Sequence, residues 1–195
     1  MRQRLIAVVL MSTMVLSACG SSSESSDTVS DTTTAVDAAP SSEFNDDDVM
    51  FAQMMIPHHE QAVEMSDIAL DPTVQAGEKV LVLASQIKAA QDPEIAQMKA
   101  LLNEWGKSLT PDDGTDHSSM MKGMLSIEEL DALATRSGAD FDSAWAAAMI
   151  AHHEGAVAMA EDVLSGGVSG EVAELARSIV ATQQAEIETL RAIAG

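Results

Sequence analysis

Apolar residues recur at spacings of three and four along four long stretches of this chain, the period of a helix that buries one face. Phe51, Met55, His58, Ala62 and Met65 form the first stripe, and Val80, Leu83, Ile87, Ala90, Glu94, Met98 and Leu101 the second. Trp145, Met149, His152, Ala156 and Met159 form a third, followed by Val172, Leu175, Ile179, Glu186 and Leu190. No stretch shows the strict alternation of a strand, so the fold class is all-α. Asp71-Pro72 and Ser165-Gly166-Gly167 punctuate the two helix pairs. Ser126-Ile127-Glu128-Glu129 has the form of a capping box and predicts a short linking helix that stops near Gly138. Pro93 falls inside the second helix and is expected to kink it, whereas its equivalent Ala185 is not.

The two helix pairs are copies of one another. Asp48 to Ser66 and Asp142 to Ala160 agree at ten of nineteen positions, each 94 residues from its partner. The shared positions begin at Asp48, Ala52, Met55, Ile56, His58, His59, Glu60, Ala62, Val63 and Met65. Gln91-x-x-Glu94-Ile95 is answered by Gln183-x-x-Glu186-Ile187. The expected architecture is therefore a four-helix arrangement of two duplicated hairpins over residues 44–195.

The N-terminal segment reads differently. Arg2 and Arg4, an apolar run from Leu5 to Leu16, and then Ser17-Ala18-Cys19 describe a secretory signal too short to span a membrane. Leu16-Ser17-Ala18-Cys19 resembles a bacterial lipobox, so residues 1–19 are expected to direct export and Cys19 to carry a lipid anchor at the cell envelope. Residues 20–43 are rich in Ser, Thr, Asp and Ala and have little to bury, which predicts a disordered tether. With Lys+Arg 10 against Asp+Glu 31, the net charge of -21 excludes a nucleic-acid partner. A single Cys cannot form an internal disulfide or a Cys-based zinc site.

Met 13 with Tyr 0 is an unusual balance, and the methionines fall near histidines. Met55/His59 and Met149/His153 are four residues apart, which brings a thioether and an imidazole to one helix face. Adjacent helical residues point about 100° apart, so His58 and His152 fall on the apolar stripes while His59 and His153 fall at their edges. Inward His58 and His152 are placed to meet across a pseudo-symmetry axis, with Gln91, Glu94, Gln183 and Glu186 facing them as supports or further ligands. Met65, Met98 and Met159 extend the same faces. Thioether sulfur favours Cu(I), and imidazole accepts Cu(I) or Cu(II). Buried histidines and methionines also serve as ordinary core residues, and both readings stand at this level. Glu60 and Glu154 project away from the stripe, toward solvent or in support of the histidines. Between the halves, His117, Met120, Met121 and Met124 form a third cluster, readable as a soft-metal site or as a linker folding its methionines onto the bundle.

The doubled Met-Ile-x-His-His-Glu-x-Ala-Val-x-Met at Met55–Met65 and Met149–Met159, the Gln-x-x-Glu-Ile segments and the Met-rich linker resemble the domain of unknown function 305 family. These are ferritin-like helical proteins of the bacterial envelope that include CopM-like copper-binding members. The resemblance implies a ferritin-like four-helix bundle and copper binding through His and Met, as a buffer, store or resistance protein without catalytic turnover. Pro93 and Leu190, the latter standing where the first half has Met98, depart from the repeat. The alternatives are a di-iron or di-manganese oxidase and a metal-free interaction module. The first is disfavoured because such sites use about four Glu and two His, with Glu-x-x-His spacing. A second copy of the chain or a copper-transfer partner is left open.

Overall fold

The computed structural model describes residues 43–111 and 121–195, and every regular element among them is helical. The signal segment, Cys19, the tether up to Ser42, His117 and Met120 lie outside the described residues. Helix α1 (Asp46–Leu70) leads through a 3-10 turn at Pro72–Val74 into α2 (Glu78–Glu104). A short α3 (Ile127–Ala134) precedes α4 (Gly138–Gly166) and α5 (Gly170–Ala194). The result is the all-α, ferritin-like bundle of two hairpins that the sequence predicts, α1 packing on α2, α4 on α5, and α1 against α4.

Local chemistry sets the helix ends. Asn45 and Asp48 exchange reciprocal hydrogen bonds that satisfy two orphan amides at the start of α1, and Asp46, Asp47 and Asp48 place negative charge at the positive end of its dipole. Ser126 and Glu129 form the expected capping box on α3. That helix stops at Ala134, earlier than predicted, and Gly138 opens α4 instead of closing α3. The reason is backbone geometry: Gly138 has φ +59 and turns the chain between the two helices. Helix α2 runs unbroken through Pro93, as α1 does through Pro57.

Two apolar clusters hold the bundle. One joins Phe51, Ala52 and Met55 of α1 to Ile95 and Met98 of α2, Ala156 and Ala160 of α4, and Leu175 and Ile179 of α5. The other joins Ala62 and Met65 of α1 to Leu83 and Ile87 of α2, Trp145 and Met149 of α4, and Leu190 of α5. The first half of α1 thus packs with the second half of α4, so these helices run antiparallel and the pseudo-two-fold exchanges the clusters. Trp145 donates its indole N–H to the Met65 carbonyl at 2.9 Å, satisfying a buried donor.

The repeated aspartate clamps one hairpin to the other. The Asp48 carboxylate accepts from the Val168 and Ser169 amides, at 3.0 and 3.1 Å, where α5 begins. Asp142, its equivalent, accepts from the Gly77 amide at 2.9 Å, where α2 begins. Asp48 is 1% exposed and Asp142 is partly exposed. Asp48→Ala should therefore lower stability by about 2–3 kcal/mol and exceed the cost of Asp142→Ala, because it strands the buried Ser169 amide and removes the bonds to the Val168 and Asn45 amides. Urea unfolding of the two variants measures the difference, and equal costs would contradict the clamp.

Candidate metal centre

Between the two apolar clusters lies a polar layer. His58, His59, His152 and His153 are all 0% exposed, and Gln91 and Gln183 are each 2% exposed. The 100° step between neighbours on a helix sends the two rings of each pair to different partners. From α1, His58 crosses to α4, where its ring centroid lies 3.8 Å from that of His152 with the planes tilted by 39°. His59 turns toward α2, and its Nε2 lies 2.9 Å from Glu94 Oε2. The second half repeats the arrangement, with His153 Nε2 2.7 Å from Glu186 Oε2 on α5. The expected meeting of His58 and His152 is realised. The placement of His59 and His153 at the stripe edge is corrected: each central helix packs on two neighbours, so both histidine directions are interior.

The carboxylates fix ring orientation. A ring whose Nε2–H donates to Glu94 or Glu186 presents Nδ1 as its lone pair, the usual arrangement of a supported imidazole ligand. His58 Nε2 faces the Lys122 carbonyl at 3.4 Å, a long contact. Among the described residues, buried polar atoms without a hydrogen-bond partner include His58 Nδ1, His59 Nδ1, both ring nitrogens of His152, His153 Nδ1, both amide atoms of Gln91, and Gln183 Oε1. Such atoms cost folding energy unless something else satisfies them, so their concentration in one layer fits a ligand-binding chemistry. Burial, reinforced by the neighbouring His59, pushes the His58 pKa down to about 3. Burial and then the adjacent His58 hold His152 well below the usual histidine range. Both rings are neutral at pH 7 and can each offer a nitrogen lone pair.

The other predicted residues separate. Met55 and Met98 lie in one apolar cluster and Met65 and Met149 in the other, flanking the layer on both sides. Met159 and Met124 are half-buried, and Met121 is 7% exposed. Glu60 and Glu154 face outward and pair with Lys99 at 2.7 Å and Arg191 at 3.6 Å, so they brace the hairpins from the surface. Among the described residues, no three His, Cys, Asp or Glu side chains form a ready-made metal-holding group.

A strap over the layer was not legible in the sequence. Residues 121–125 cross α4, and Gln61 grips the strap twice, donating to the Leu125 carbonyl at 2.8 Å and accepting from its amide at 2.7 Å. Close approach requires glycine at two points. A Cβ on Gly155 would lie 1.8 Å from the Lys122 carbonyl oxygen, and one on Gly123, where φ is +86, 2.1 Å from the Ala151 carbonyl oxygen. Gln61 and Gly155 occupy equivalent repeat positions but differ, which was the available signal.

Residues 48–194 match the family described as Domain of unknown function (DUF305). The chain belongs to this family. A DUF305 fragment from Deinococcus radiodurans is 35% identical, covering 77% of this chain and 97% of that one, with a TM-score of 0.68. A DUF305 protein from Streptomyces coelicolor is 32% identical, covering 74% and 88%, with a TM-score of 0.67. CopM in its Cu(II)-bound form is 32% identical, covering 75% and 95%, with a TM-score of 0.65. Its Cu(I)-bound form gives 32% identity, coverage of 74% and 92%, and a TM-score of 0.60. No curated protein matches the chain.

The neutral rings of this DUF305 chain imply a pH response. His58 and His152 take up protons in the unfolded chain as pH falls through about 6.5, but the folded layer resists until about 3 for His58. Stability is thus present above pH 6.5 and lost as pH falls through that interval. The melting temperature of chelator-treated protein should decline with acid, and His58→Gln/His152→Gln should flatten that decline. An unchanged slope in the double variant would contradict the assignment.

Proposed function

We propose that this protein binds copper within the polar layer, as an envelope-anchored buffer, store or resistance protein without catalytic turnover. The observation that carries the reading is the His58–His152 pair, two buried neutral imidazoles 3.8 Å apart at the pseudo-symmetry centre. His58 and His152 supply nitrogen donors, with His59 and His153, oriented by Glu94 and Glu186, beside them. Met55 and Met149, one turn before His59 and His153, are the neighbouring thioethers along each helix. Gln91 and Gln183 offer amide oxygens from the facing helices. Imidazole and thioether donors suit Cu(I), and imidazole also accepts Cu(II). Support comes from the CopM structures, which carry Cu(I), Cu(II) and silver. The carboxylate-rich alternative is disfavoured, because each half brings a single glutamate to the layer and that glutamate already engages a histidine. The lipobox-like segment ending at Cys19 supports attachment at the envelope, and the net charge of -21 concentrates cations near the protein without selecting among them.

The deciding experiment titrates the metal-free full chain anaerobically with Cu(I) against a chromophoric chelator, with Cu(II), Zn(II) and Fe(II) in parallel. His58→Ala/His152→Ala should weaken Cu(I) binding by more than the roughly 10–100-fold that loss of a supporting hydrogen bond costs, with helix content preserved. Glu94→Gln/Glu186→Gln should fall within that smaller range. Wild-type affinity in the histidine variant would remove the pair from the site.

A further inference from the structure

A groove of about 530 Å³ opens on the surface above His58, and four of its lining residues are methionines: Met50, Met54, Met121 and Met159. They come from three elements. Met50 and Met54 lie one turn apart on α1, Met159 comes from α4, and Met121 from the strap. Asp47 and Asp162 also line the groove, and Lys122 is the cation there. The groove floor touches the polar layer directly. The Lys122 carbonyl is 3.4 Å from His58 Nε2, and a Cβ on Gly155 would lie 3.3 Å from the same nitrogen.

The duplication supplies a control. In the second repeat, Met50 and Met54 become Ala144 and Ala148, which line a groove at the equivalent place beside Leu133 and Ala132 of α3. The second repeat carries alanine where its groove borders α3, and the first carries methionine at the two equivalent positions, where no residue of α3 lines the groove. Packing does not call for a thioether at the exposed Met50, because leucine fills the same volume without the risk of oxidation. Met50 is 48% exposed.

We infer that this groove is a second metal site, specific for soft monovalent cations, at which Cu(I) docks before reaching His58. Thioether sulfur is a soft ligand, and the two aspartates add attraction for a cation. Passage inward exchanges thioether–metal bonds for an imidazole–metal bond with the oxidation state unchanged. The passage rests on the proposed copper function; binding at the groove does not.

The test uses the full chain labelled with 13C at the methionine methyls and titrated with Ag(I). The Met50, Met54, Met121 and Met159 methyls should shift, and should still do so in His58→Ala/His152→Ala, where the buried site is disabled. Met50→Leu/Met54→Leu/Met159→Leu, which conserves volume, should fold normally and lose one bound Ag(I). Shifts that persist in the histidine variant establish the groove even if the buried pair does not hold copper. Unmoved groove methyls, or full Ag(I) stoichiometry in the leucine variant, would overturn the inference and leave the groove as an apolar surface for protein docking.

Discussion

Four imidazoles and two carboxamides are shut in a layer between the two apolar clusters of the bundle. Removing such groups from water is costly unless each finds a partner, and several of their atoms have none among the described residues. The rest of the fold offsets that cost. Apolar clusters on either side of the layer supply the burial that keeps the helices together, and Glu94 and Glu186 satisfy one nitrogen of each outer ring. A core built for stability alone would place leucine here, so the layer costs stability that an apolar core would keep.

Duplication makes this economical in sequence. One helix carrying His-His, apposed to its copy in the antiparallel sense, brings like residues together at the symmetry centre. The same operation pairs Asp48 with the start of α5 and Asp142 with the start of α2, so each half closes the other. The symmetry stops at the surface. Helix α3 lies beside the second repeat's alanines, Met50 and Met54 of the first repeat line the methionine groove, and the strap at residues 121–125 borders both grooves. The two buried histidines differ accordingly: His58 Nε2 faces the Lys122 carbonyl of the strap, whereas neither ring nitrogen of His152 has a hydrogen-bond partner among the described residues.

The sequence made the helices, the repeat and the His58–His152 encounter legible, since periodicity and duplication both act locally along the chain. It misplaced His59 and His153, because a stripe drawn for one buried face does not show that α1 and α4 each pack on two neighbours. The i, i+4 pairing of Met55 with His59 was visible, but not that Met55 belongs to an apolar cluster while His59 turns to Glu94. Met50 and Met54 went unweighed, although their replacement by alanine in the second repeat was readable.

The sequence by itself determined the four long helices, their pairing into hairpins, and which residue types could carry metal chemistry, because these follow from spacing along the backbone. Tertiary structure decided which side chains meet. Two rings 100° apart on one helix acquire separate roles only when different helices stand opposite each, and a strap becomes the roof of a site only where Gly155 lets its backbone approach. Those relations depend on distances between segments far apart in the chain, which no local pattern encodes.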